Sequence, residues 1–180
     1  HDGILLMGPR FTQIGGAQRG DGNLIAANRG HGVAIQKRWW DYPLCSDVRG
    51  NLIRDNASNG VNVASGIRNV ISSNAIHGSG LMGVNLGMQG RNDGPESDAN
   101  ANRYQRYPFI SNVVVAGGTR VRGSFASAAS KTYRLEFFAS PAVSPAGFAE
   151  GQQFLGAIAL ATGAGGNAAF DTVLPVAAQP

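Results

Sequence analysis

GNLIAANRGHGVAI, residues 22–35, returns as GNLIRDNASNGVNV at residues 50–63. Two Asn, one Gly and three aliphatics keep their spacing while the residues between them drift. A weaker third copy follows as RNVISSN at 68–74 and GVNL at 83–86. The aligned copies share N-[LV]-I-x-x-N: Asn23, Ile25, Asn28; Asn51, Ile53, Asn56; Asn69, Ile71, Asn74. Gly32, Gly60 and Gly78 stand four residues after each second Asn. A short strand follows, Val33 with Ile35 and Val61 with Val63; in the third copy it is delayed five residues, to Val84 and Leu86. The first Asn residues are spaced 28 (51 − 23) and 18 (69 − 51) residues apart, so coil length varies through the loops.

Helices do not fit this pattern. The apolar runs are short and bounded by Gly and Asn, whereas a helix needs roughly 10 residues or more with 3.6 periodicity. Short strands with period 2 between turn residues fit instead. One copy cannot bury its apolar face alone, so the copies must stack as coils of a solenoid, about 4.8 Å apart. Stacking predicts aliphatic columns, Ile25–Ile53–Ile71 and Val33–Val61–Val84. It also predicts a structural ladder of side-chain amides from Asn23, Asn28, Asn51, Asn56, Asn69 and Asn74, which satisfies buried polar groups where the chain bends. Gly at the bend supplies positive φ or close backbone approach. His31, Asn59 and His77 each precede one of the three Gly residues. They read as a hydrogen-bonding turn slot; two stacked histidines flanking an Asn are the metal-site alternative.

Composition agrees with a folded chain of short strands. Hydrophobic residues make up 43% and charged residues 14%, with 26 Gly, in 180 residues; that charge content is about half the usual share. The net charge of +4 comes from 15 basic and 11 acidic residues. The bases are scattered, which excludes the clustered stripe that nucleic-acid binding needs. No apolar run reaches the ~20 residues of a membrane span. The lone Cys45 cannot form an internal disulfide; a buried free thiol and an intermolecular link both stay open. The chain starts at His1 without a signal segment and reads as a processed or excised piece of something longer.

IGGAQRGDGNLIAANRGHGVAI resembles the coils of bacterial extracellular right-handed parallel β-helix proteins, the pectate-lyase-like solenoids. LGMQGRNDGPESDANANRYQRYPFI resembles their closing segment, and VRGSFASAASKTYRLEFFASPA with GFAEGQQFLGAIALATGAGGNAAFDTVLP resembles the small β-sandwich that follows such helices. The resemblance implies an all-β chain: parallel β-helix coils over 1–87, an Asn/Asp-rich linker and closing segment over 88–110, and an Ig-like β-sandwich module over 111–180. It also implies secretion or display at the cell surface. Family members carry further strands after the LP motif, so the module is expected to be incomplete at Pro180.

Residues alone support the second module too. Thr119–Phe125, Tyr133–Phe138, Phe154–Leu160 and Ala168–Val173 alternate apolar and polar, as strands of a half-buried antiparallel sheet do. Residues 163–167 read as a hairpin turn and 141–151 as a longer loop. An unfinished sheet would leave a sticky edge, met by tail disorder, a partner strand or further sequence; finding every strand of the sheet paired within residues 111–180 would remove that expectation.

Two stretches could bind ligands. Trp39, Trp40, Asp41 and Tyr42 suit a glycan, because apolar sugar faces stack on rings while hydroxyls reach a carboxylate; the alternative is a loop that buries its own tryptophans. Asn92, Asp93, Glu96, Asp98 and Asn100 form the densest oxygen cluster. Ca²⁺ takes six to eight such ligands, roughly, but the spacing is not an EF-hand, and a polar inter-module loop is the alternative. Catalysis is harder to support. A glycosidase needs two carboxylates about 5 to 9.5 Å apart. The expected outward slots hold Leu5, Ala34, Asn62 and Asn85 in one column and Ala26, Arg54 and Ser72 in another, while Asp41, Asp47 and Asp55 fall in loops or turns. No G-x-S-x-G, H-E-x-x-H or P-loop motif occurs. The expected function is therefore an extracellular structural, adhesion or glycan-binding module without catalysis of its own and with no required cofactor. Its partners would be a glycan, another surface protein, the rest of a longer chain or a neighbouring subunit. The alternatives are an accessory part of a polysaccharide lyase or hydrolase with its active site on upstream coils, and a subunit of a surface filament.

Overall fold

A computed structural model describes residues 1–8, 10–38, 45–90, 92, 96, 97 and 99–178. The protein is all-β and divides into two compact units. One comprises His1–Tyr104 with Ser140–Gln152, the other Gln105–Ala139 with Gln153–Pro180.

The first unit is a parallel β-helix with three sheets. Sheet A stacks β1 (Ile4–Met7), β4 (Val33–Gln36), β7 (Val61–Val63) and β10 (Val84–Leu86). Sheet B stacks β2 (Gln13–Gly15), β5 (Asp47–Arg49) and β8 (Val70–Ser72). Sheet C stacks β3 (Leu24–Ala26), β6 (Leu52–Arg54) and β9 (Ala75–His77). All pairings are parallel and in register, so like residues superpose. Four inward columns build the core: Ile4–Val33–Val61, with Val84 beyond it left exposed, Leu6–Ile35–Val63–Leu86, Ile14–Val48–Ile71 and Ile25–Ile53–Ile76. Val33, Ile35, Val48, Ile53, Val61 and Val63 are wholly buried. Each such side chain contributes about 1.5–3 kcal/mol.

The third copy aligns differently from the sequence reading. Ile71 stacks on Val48 in sheet B, and Ile76 is the residue beneath Ile53. The Asn columns shift with it, to Asn23–Asn51–Asn74. Nine residues then separate Asn23 from Gly32, Asn51 from Gly60 and Asn74 from Gly83, so no strand is delayed. The coils are 28 and 23 residues long. N-V-I-S-S-N mimics the motif by chance of composition, because sheets B and C both need an aliphatic residue flanked by corner residues.

Each corner combines a left-handed residue with a polar rung. Phe11, Cys45 and Arg68 have φ of 53°, 58° and 62° at the corner before sheet B; Gly50 and Ser73 have 69° and 56° before sheet C; Ala27, Asp55 and Gly78 have 57°, 56° and 68° after it. Such backbone costs of order 1–3 kcal/mol at non-Gly residues and persists only where the surroundings enforce it. The rung that follows does so. Asn51 Oδ1 accepts the backbone N–H of Asn23 at 3.0 Å, and Asn74 Oδ1 accepts that of Asn51 at 3.0 Å. Asn51 Nδ2 also donates to the carbonyls of Ile14 and Arg49. Asn56 serves Asn28 in the same way, and Asn69 serves Ser46. Gly32 and Gly60 answer to close approach instead: a Cβ on Gly32 would run into the Gly60 carbonyl and Ile53.

Two separate segments complete the last coil. In the turn Ala101–Tyr104, Asn102 Oδ1 accepts the Asn69 N–H at 3.0 Å and continues that ladder, with Ala101 entering the core. From the 140–152 segment, Gly151 makes an antiparallel bridge with Ile76 on the exposed edge of β9, and Glu150 Oε1 accepts the Ser79 N–H at 3.1 Å. Ser140 Oγ fastens the base of that segment to the Glu150 carbonyl and the Gln152 N–H.

The second unit holds two antiparallel sheets around one core. Sheet D is β11 (Phe109–Val115), β12 (Thr119–Ala126) and β15 (Asn167–Leu174); sheet E is β13 (Thr132–Ala139) and β14 (Gln153–Ala161). Val121, Phe170 and Leu174 from one sheet meet Leu135, Phe137 and Leu155 from the other. Phe137 and Phe170 pack edge to face at 5.6 Å. Residues 163–167 do not close a hairpin: β14 pairs with β13 and β15 with β12, so the turn crosses between sheets. All five strands have a partner, and β15 pairs along its whole length. No helix among the described residues is long and apolar enough to cross a membrane.

Candidate functional site

Sheet B was not legible as a sheet, and it carries the charged outward row. Val48 points inward, so Asp47 and Arg49 on either side of it point outward. Asp47 therefore lies on a strand, not in a loop. Arg49 Nη2 and Asp47 Oδ2 pair at 3.1 Å, each side chain about a third exposed (33% for Asp47, 35% for Arg49). Gln13 and Val70 flank Asp47 in its row, and Gly15 and Ser72 flank Arg49. Asp47 Oδ1 and Arg49 Nε are enclosed with no partner among the described residues. The signal in the sequence was the D-V-R triplet, apolar between charges at period 2. Such a pair donates and accepts hydrogen bonds on one face, as hydroxyl-rich ligands require.

Sheet C presents Ala26, Arg54 and His77 in one outward row. His77 thus replaces Ser72 in the expected column, and Arg54 pairs with Asp55 beside it. The histidines do not stack. His31 belongs to a fourth ladder: its N–H donates to Asp2 Oδ1 at 2.7 Å, its Nδ1 accepts the Asn59 N–H at 3.1 Å, and Asn59 Oδ1 accepts the Met82 N–H at 3.0 Å. Nδ1 can accept only in the tautomer that carries its proton on Nε2. No group of three or more His, Cys, Asp and Glu that could hold a metal occurs among the described residues.

Trp39, Trp40, Asp41 and Tyr42 lie outside the described residues, as do Asp93 and Asp98 of the oxygen-rich loop. Of that loop, Asn100 donates its N–H to the Ser97 carbonyl and accepts from Arg103, forming the turn before Ala101–Tyr104. Asn92 and Glu96 are the other described members.

The coil steps locate outgrowths that no motif marks. From sheet C to sheet A the strand starts are nine residues apart in each coil, Leu24 to Val33, Leu52 to Val61 and Ala75 to Val84. From sheet A to sheet B they are nine apart at Ile4–Gln13 and Val61–Val70, but fourteen at Val33–Asp47. From sheet B to sheet C they are five apart at Asp47–Leu52 and Val70–Ala75, but eleven at Gln13–Leu24. One insertion therefore contains Trp39–Tyr42; the other spans residues 16–23.

On the second unit, the outer face of sheet D carries one charged cluster. Asp171 accepts from Arg120 Nε at 2.7 Å and Nη2 at 2.8 Å, and from Arg122 Nε at 2.9 Å. The Arg120 hydrogen bond, aided by Arg122, holds the Asp171 carboxyl below the usual carboxylate range, and Asp171 raises Arg120. No protein-family model and no curated protein matches this chain.

Proposed function

We propose that this chain is an extracellular structural and adhesion module that presents binding loops from a rigid solenoid. The observation that carries the reading is the placement of the two insertions. Every coil step is minimal except those that contain Trp39–Tyr42 and residues 16–23. In solenoids, insertions map to loops and often to the binding face. The ladders support it as well: Asn51, Asn56, Asn59, Asn69 and Asn74 each give their Oδ1 to a backbone N–H of an adjacent coil, which stiffens the frame. The likeness of its coils to bacterial extracellular right-handed parallel β-helix proteins, of the pectate-lyase-like kind, supports secretion or surface display. A glycan is the ligand that Trp39, Trp40, Asp41 and Tyr42 suit. A glycan array tests this: binding is expected, and lost in Trp39→Ala/Trp40→Ala. A blank array with folded protein counts against a glycan.

A second reading rests on Asp47 and Arg49. Their outward row on sheet B suits a polysaccharide laid across the coils, as in an accessory part of a polysaccharide-degrading enzyme. Asp47 is the one carboxylate of that row, short of the two that glycoside hydrolysis uses. Turnover of any polysaccharide by this chain alone would favour it over the first.

A further inference from the structure

The insertion at 16–23 contains Arg19-Gly20-Asp21, and the structure holds this tripeptide in a defined turn. The Asp21 N–H donates to the Gln18 carbonyl at 3.2 Å, closing a four-residue turn. Asp21 Oδ2 accepts the Gln18 N–H at 3.0 Å, bracing the turn from the side chain. Gly20 at the third position has φ +98°, where an L residue would be strained, and open space surrounds it. Its missing side chain leaves the backbone open to close approach between two side chains of opposite charge. Residues 17–24 are exposed. Asp21 Oδ1 and the Arg19 guanidinium have no partner among the described residues. The turn stands directly before the Asn23 rung, whose amide is tied to Asn51 at 3.0 Å, so its base is anchored to the solenoid.

The corner itself does not require the six additional residues of this step, since it is made without them at Asp47–Leu52 and Val70–Ala75. We propose that Arg19-Gly20-Asp21 is a receptor-contact site. It would be read by a cell-surface receptor that offers a carboxylate to the guanidinium and a protein-bound divalent cation to Asp21 Oδ1. Guanidinium pairs with carboxylate through directed, charge-assisted hydrogen bonds. A solvent-displayed carboxylate oxygen is a hard ligand suited to Mg²⁺ or Ca²⁺. The inference rests on the adhesion reading and names a protein receptor for it, independent of the tryptophan loop.

The test is surface binding of the whole chain to a purified adhesion receptor of the cation-dependent class that reads Arg-Gly-Asp. It is run in Mg²⁺, in EDTA and with a free Arg-Gly-Asp peptide. Binding is expected in Mg²⁺ and abolished by EDTA or by the peptide. Asp21→Asn keeps an oxygen for the Gln18 N–H but removes the charge, and Arg19→Gln removes the guanidinium. Each is expected to weaken binding about tenfold or more, the loss of one charge-assisted contact, with melting unchanged. Absence of binding by folded wild-type chain, binding that survives EDTA, or binding unaltered in Asp21→Asn would each overturn the proposal. Trp39→Ala/Trp40→Ala run in the same assay separates the two sites. Receptor binding retained with a blank glycan array sustains this inference and removes the glycan, whereas receptor binding lost with the tryptophans refutes it.

Discussion

The two units solve the same problem, pairing a buried backbone, by different means. In the sandwich, antiparallel neighbours pair along whole strands, and among its described residues the buried polar side chains are Thr119 and Thr162. In the solenoid the strands are three or four residues long and each coil turns three corners. A corner N–H has no strand partner, so a side chain must supply one. Asn51, Asn56, Asn59, Asn69 and Asn74 are all buried, and each offers its Oδ1 to a backbone N–H of an adjacent coil. The comparison teaches that a parallel stack needs a repeating sequence because its hydrogen bonds run through side chains. An antiparallel sandwich needs only alternation.

That contrast can be broken from the core outward. The largest effect is expected at Ile53, enclosed between Ile25 and Ile76. Ile53→Ala should cost about 2–5 kcal/mol in urea unfolding, whereas Leu52→Ala next to it, pointing outward and 38% exposed, should cost under about 1. Equal losses at the two positions would contradict the columns. Next comes Asn51→Ala, which strands the Asn23 N–H and takes a donor from the Ile14 carbonyl. A loss of about 1–3 kcal/mol is expected, the cost of one orphaned group; hydrogen exchange should speed up at Asn23. His31 sharpens the point, because Asn59 performs the same task one coil later. His31→Asn should stay within about 0.5 kcal/mol of wild type and His31→Phe should lose about 1–3. A stable Phe variant would mean that the Asn59 N–H needs no acceptor.

The smallest effect belongs to the sandwich surface. Asp171 is held below its ordinary range by Arg120 and Arg122, so its contribution is present at neutral pH and lost as pH falls through the folded-state value. Asp171→Asn should therefore flatten part of the acid limb of a stability–pH curve and leave neutral stability almost untouched, since the cluster is exposed and screened. A large loss at pH 7 would mean that the cluster does more than an exposed ion pair can.

Much of the solenoid was legible because stacking imposes periodicity on the chain. The Val33–Val61–Val84 column and the outward row Leu5, Ala34, Asn62, Asn85 follow directly from aligned repeats. The third copy is ambiguous in sequence because RNVISSN satisfies the motif on its own from Asn69, five residues before Asn74; the constant nine-residue interval from Asn to Gly marks the register. Sheet B escaped notice because Q-I-G, D-V-R and V-I-S share one aliphatic residue and nothing else. Arg19-Gly20-Asp21 escaped because it sits inside a stretch that also reads as coil. β11 escaped because all seven of its residues are exposed, so burial imposes no alternation on it.

By itself, the sequence determined that this chain must coil, and that Asn and Gly at fixed intervals would hold the corners, because every repeat faces the same geometry as its neighbour. Only the tertiary structure decided which Asn lies beneath which, and that Glu150 and Gly151 close the edge of the last coil. Such contacts join residues 71 positions apart. They occur once, so they leave no period for a reader of the sequence to find.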